Sequence, residues 1–71
     1  MIVVTENDVG NIVRDRRVEL GLTQAQLAER IGRSRQWVVG FEGGRAATAT
    51  IGHLVRLADE LDLDIELTAA P

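Results

Sequence analysis

Cysteine is absent from the 71 residues, so neither a disulfide nor a thiolate metal site stabilises the chain. Lysine is absent as well, and all eight basic residues are arginine. No apolar run approaches the ~18 residues of a membrane span. Met1-Ile2-Val3-Val4 is too short for a signal peptide and lacks its basic flank. Cytoplasmic residence, with no membrane partner, is the expectation that follows. Metal-ligand spacing and a glycine-rich phosphate loop are both missing. The one histidine, His53, falls in a helical stretch, where capping or surface exposure is the expected role. Asp62, Asp64 and Glu66 lie on one face of an alternating segment and lack the loop geometry of a calcium site. With so little catalytic chemistry in view, no enzyme activity, metal or cofactor is expected.

What is present describes one small domain over 1–71, since 45% apolar and 27% charged residues are ordinary globular values. A chain this short buries only ~60% of its unfolded surface. Help from a second copy is therefore expected. The net charge of −3 argues against nucleic acid, but its distribution does not. Residues 9–50 hold seven arginines against four acids, whereas residues 51–71 hold Arg56 against five acids. The middle is basic and the tail acidic. A solvated face is the plainer reading of that split, and a polyanion-binding face the sharper one.

Periodicity predicts four helices. The first starts near Asn7 or Asp8, runs along Val9, Ile12, Val13 and Leu20, and ends at Gly21 in the left-handed conformation. Thr23 caps the second, with Gln26 completing a capping box and Leu27, Ala28 and Ile31 facing inward before Gly32. Ser34 caps the third, which turns Val38 and Phe41 inward and ends at Gly43-Gly44. Thr48 or Thr50 caps the fourth, carrying Ile51, Leu54, Val55, Leu57, Ala58 and Leu61. The period then changes to two. Leu61, Leu63, Ile65 and Leu67 alternate with Asp62, Asp64, Glu66 and Thr68, which predicts a strand over about 62–68. An apolar strand edge invites pairing, and Leu63, Ile65 and Leu67 are the candidate dimerisation residues. Ile2 to Thr5 is the other candidate strand.

The second and third helices are joined only by Gly32-Arg33-Ser34, a spacing that fits a helix-turn-helix over about 23–43. The run Arg17-x-x-Leu20-Gly21-Leu22-Thr23-Gln24-x-x-Leu27-Ala28-x-x-Ile31-Gly32-x-Ser34, then Val38 and Phe41-Glu42-x-Gly44, resembles the Xre-type family of lambdoid phage repressors. The resemblance covers about residues 9–61. Arg45-Ala46-Ala47-Thr48-Ala49, the fourth helix and the alternating tail resemble the narrower group of HipB-type antitoxins. These resemblances imply an all-α, compact, four- to five-helix lambda-repressor-like domain whose C-terminal strand pairs across a homodimer. They also imply a DNA-binding repressor that recognises an inverted-repeat operator and pairs with a HipA-type kinase toxin. A free-standing regulator without a toxin, and an interaction module that no longer reads DNA, are the alternatives.

The resemblance assigns roles residue by residue. Arg35 and Gln36 open the third helix, where side chains of this motif reach base edges. Arginine suits guanine O6 and N7, and glutamine suits adenine N6 and N7. Trp37 has two readings, contact with a thymine methyl or DNA backbone, and packing. Thr23, Gln24, Arg33, Ser34, Arg45 and Thr48 are candidate phosphate contacts, which set orientation more than sequence preference. Gln24 would also brace the recognition helix. For the threonines and Ser34 the plainer role is capping. Arg17 and Glu42 match a structural ion pair of the family. Arg16 stands where an aliphatic residue is common, so its stem is expected to cover the core while its head reaches water. Gly40 and Gly43 depart from the family's polar residues, which puts one base contact and one phosphate contact in doubt.

Overall fold

Local chemistry sets three of the four helix starts. In the computed structural model, which describes residues 6–45 and 49–66, α1 runs Glu6–Glu19, α2 Gln24–Ile31, α3 Arg35–Glu42 and α4 Ile51–Leu61. The Thr23 hydroxyl accepts from the Gln26 amide at 3.0 Å, and the Gln26 side chain accepts from the Thr23 amide at 2.8 Å. Thr50 and His53 repeat this reciprocal pair, with His53 Nδ1 taking the place of a carboxamide oxygen at 3.0 Å. Ser34 caps α3 by accepting from the Trp37 amide at 3.1 Å. Each bond satisfies an amide that would otherwise be orphaned at a helix start.

The core is built from one face of each helix. Val13 of α1, Leu27, Ala28 and Ile31 of α2, Val38 and Phe41 of α3, and Leu57 and Leu61 of α4 are all buried. The α4 stripe is narrower than its apolar composition suggested. Leu54, Leu57, Ala58 and Leu61 turn toward the other helices, whereas Ile51 and Val55 are 79% and 49% exposed. Ile51 and Val55 are one turn apart on the outer side, so apolar character alone did not place them. Leu20 is likewise exposed, because α1 stops at Glu19 and Leu20 sits in the turn beyond the stripe.

Two close contacts fix α1 on its neighbours. Gly10 is buried, and a Cβ there would lie 2.5 Å from the Phe41 carbonyl oxygen and 2.9 Å from that of Glu42. The crossing of α1 over the end of α3 therefore requires glycine. The Arg16 head, expected in water, instead donates from Nε to the Leu61 carbonyl at 2.8 Å and closes the end of α4. That carbonyl is one of the four a helix end leaves unpaired.

The helix α4 ends in a left-handed residue that is not glycine: Asp62 has φ 54°, and the Leu63 amide bonds back to the Ala58 carbonyl at 2.9 Å. Asp62 is thus a helix cap, and the expected tail strand cannot begin there. Leu63 packs against the core, Ile65 is 55% exposed, and residues 63–66 carry no strand in the single chain. Leu67 and Thr68, like Ile2 to Thr5, lie outside the described residues. Among the described residues the architecture is all-helical, with four helices. Among the described residues no helix is long and apolar enough to cross a membrane.

Candidate nucleic-acid interface

Helices α2 and α3 are set by the turn between them. Gly32 takes φ 70°, its amide bonds to Glu29, and the Arg33 amide reaches the Ala28 carbonyl at 2.9 Å. This is a Schellman closure. Ser34 then starts α3 at once, leaving no slack in the joint. Ala28, only 3% exposed, lets the two helices pack closely where a larger side chain would separate them.

The inner side of α3 is locked by charge as well as by packing. Arg17 Nε donates to Glu42 Oε2 at 2.7 Å and Nη2 to Oε1 at 3.0 Å, a bidentate pair. The Arg17 side chain is 12% exposed and that of Glu42 3%. Arg17 Nη1 also donates to the Leu22 carbonyl at 2.7 Å, and Gln24 Nε2 donates to Glu42 Oε1 at 3.3 Å. The Glu42 carboxylate thus ties the end of α3 to α1 through Arg17 and to the start of α2 through Gln24, and the same Arg17 holds the α1–α2 turn. Gln24 braces the third helix through Glu42.

With Val38, Phe41 and Glu42 turned in, the outer side of α3 presents Arg35 and Gln36, both exposed, followed by Val39 and Gly40. These residues, Trp37 and Arg45 line one shallow depression of about 430 Å³. Arg33 and Arg45 are exposed at either end of α3. Among the described residues none of Arg33, Arg35 and Arg45 is paired with a carboxylate, whereas Arg14, Arg16 and Arg17 all are. The acids Asp62, Asp64 and Glu66 follow the far end of α4, ~13 Å along that helix from His53, which touches α3. The acidic total therefore leaves this face basic.

Trp37 is a packing residue first. Its ring stacks on Phe41 at 5.2 Å, meets the His53 ring edge-on at 4.9 Å, and lies 5.8 Å from the Arg33 guanidinium carbon. The indole wedges α3 against the start of α4, and its remaining surface belongs to the depression. Thr23 and Ser34 spend their oxygens as acceptors in caps, although each hydroxyl keeps a proton to donate. Thr48 falls outside the described residues. Sequence reasoning missed Gly10, the Arg16 bond to Leu61 and the His53–Trp37 contact. Only Gly10 left a signal, since a glycine inside a helical pattern often marks a close approach.

Two short helices joined by a tight turn, with exposed Arg33, Arg35 and Arg45 before, on and after the second, define a helix-turn-helix protein. The helix-turn-helix domain family model matches residues 8–70, and the chain belongs to that family. A curated relative, an "Uncharacterized HTH-type transcriptional regulator" of Methanothermobacter thermautotrophicus, is 48% identical over 40 residues, or 56% of this chain. The matched stretch spans 58% of that relative's length. The fold is also that of HipB. A HipB variant in an O2 20mer complex superposes with TM-score 0.82 at 24% identity, over 100% of this chain and 97% of that one. A HipA–HipB–O2–O3 complex contains a chain of the same TM-score, 0.82, at 21% identity, over 100% and 99% of the two chains.

Proposed function

We propose that the chain is a sequence-specific DNA-binding transcription regulator, acting as a repressor and as the antitoxin of a HipBA-like pair. The observation that carries the DNA reading is the outer face of α3. Its first turn offers Arg35 and Gln36, both exposed and without partners among the described residues, on a helix held from behind by the Arg17–Glu42 pair. In this reading Arg35 and Gln36 contact base edges, with Trp37 at the rim of the same surface. Thr23, Gln24, Arg33, Ser34, Arg45 and Thr48 contact phosphates. Arg35→Ala is expected to cost ~1–3 kcal/mol on the cognate site and to relax preference at one base pair per half-site. Arg33→Ala and Arg45→Ala should instead weaken all DNA alike and flatten log K against log salt by ~0.9 per lost phosphate contact. Titrating cognate and scrambled duplexes over a salt series separates the two. Equal losses on both duplexes for Arg35→Ala would sink the base-reading role.

The chain acts in this account as one domain and as a homodimer, its tail strand pairing with a second copy through Leu63, Ile65 and Leu67. Ile65, 55% exposed in a single chain, supports this, as does the small core. The dimer would span an inverted repeat with half-sites roughly one helical turn, ~34 Å, apart. Ile65→Asp should leave the helical content intact and give a monomer in sedimentation equilibrium. A dimer of unchanged affinity would exclude the tail from the interface.

The antitoxin role is supported by the HipB fold and by a structure in which HipB and HipA occur together. A free-standing regulator without a toxin is the alternative reading, and the curated relative's name, an HTH-type transcriptional regulator, fits either. Co-expression with the product of the adjacent reading frame decides between them. A kinase-like neighbour that co-purifies supports the pair, and a neighbour of unrelated chemistry that does not bind supports the lone regulator.

A further inference from the structure

The outer face of α3 changes character along its length. Arg35 and Gln36 in the first turn are polar and exposed. One turn on, at the i+4 positions that share their face, stand Val39 and Gly40. Neither offers a side-chain donor or acceptor. A Cβ at Gly40 would meet nothing within 4 Å, so the position opens outward rather than onto another helix. Between Trp37, Val39 and Gly40 the depression has an apolar lining, and Arg35, Gln36 and Arg45 complete its wall.

Of the groups that base pairs display in the major groove, the one apolar group is the C5 methyl of thymine. Hydrogen bonding from the first turn and an apolar recess in the second therefore read different things. We propose that the recess at Val39 and Gly40 takes the C5 methyl of one thymine in each half-site. Gly40 is then a specificity-determining residue. It reads a base by shape where a longer polar side chain would read one by hydrogen bonds. The competing occupant is a phosphate held between Arg35 and Arg45, which line the same depression. A phosphate is indifferent to the methyl group.

The inference rests on the DNA reading of α3, and one experiment separates the two. A duplex is selected from a random pool by the full chain, and each thymine is replaced in turn by deoxyuridine. Uracil keeps every hydrogen-bonding group and removes only the methyl. Replacement at one position per half-site should weaken binding about fourfold, the worth of one buried methyl group, and about sixteenfold when both half-sites carry it. The Gly40→Asn variant fills the recess with a polar side chain. It should bind the thymine and uracil duplexes equally, with circular dichroism verifying that it folds. A selected duplex whose thymines all tolerate uracil overturns the inference alone. So does a sensitive position that stays equally sensitive in Gly40→Asn, because the methyl then lies elsewhere, against Trp37 for instance. Failure to select any preferred sequence overturns the DNA reading and the inference with it.

Discussion

Arg17→Ala is expected to lower stability by ~3–5 kcal/mol, because it strands the Glu42 carboxylate at a site where only 3% of that side chain meets water. Among the described residues Gln24, at 3.3 Å, is then its one side-chain donor and carries no charge. The loss is large against the ~4–10 kcal/mol that a chain of 71 residues holds in total. Arg14→Ala is the contrast. Its pair with Asp15 has 48% and 69% exposed side chains, so its removal should change stability by no more than ~0.5 kcal/mol. Replacing both partners, Arg17→Met with Glu42→Leu, should recover much of the loss, since no charge then remains buried. Urea denaturation of the four proteins gives the comparison. Equal midpoints for Arg17→Ala and Arg14→Ala would deny the pair a structural role. A double variant less stable than Arg17→Ala would mean that the charge–charge attraction outweighs desolvation.

Gly10→Ala should also destabilise, although alanine is the better helix former by ~1 kcal/mol. The added methyl meets the Phe41 carbonyl at 2.5 Å, and backbone cannot move aside as a flexible side chain would. Overpacking of this kind costs ~1–3 kcal/mol and occasionally more. Here α1 must also back away from the helix end that carries Glu42. A net loss of ~2 kcal/mol lowers the thermal midpoint by roughly 10 °C in a domain this small. Gly40→Ala has the opposite sign. Its Cβ enters open space, so the ~1 kcal/mol of helix propensity is gained without a clash. Two glycine-to-alanine changes, both in helices, should therefore move the midpoint in opposite directions. A rise for Gly10→Ala would show that the α1–α3 approach is looser than its carbonyl contacts require.

The features legible in the sequence were those set by near neighbours in the chain. Thr23 with Gln26, Ser34 with Trp37, and Gly32 at φ 70° are interactions within a few residues, so residue type and spacing suffice. The helix-turn-helix joint and the Arg17–Glu42 pair were legible through the family motif. What the sequence hid depends on where a helix meets its neighbours. Ile51 and Val55 count as apolar in any window, but a four-helix core has room for only one stripe of α4. The Arg16 bond to Leu61 crosses 45 positions and has no local signature. Asp62 looked like the polar member of an alternating strand. Its left-handed φ shows that the helix cap claims it first, because the Leu63 amide closes on Ala58. The depression beside Gly40 became visible only when the inward side chains had been placed.

The central claim is that α3 reads bases, not merely charge. It is tested most directly by titrating the full chain with its own upstream DNA and with a scrambled duplex of equal composition, from about 50 to 200 mM salt. Binding to the scrambled duplex is expected to be weak and steeply salt-dependent, as a chain with net charge −3 has little to spare for phosphates in general. Binding to the upstream duplex should be tighter by roughly 10³-fold or more, and that ratio should largely survive added salt, because base contacts release few counterions. Equal affinity for the two duplexes, or a preference that vanishes as salt rises, would contradict it.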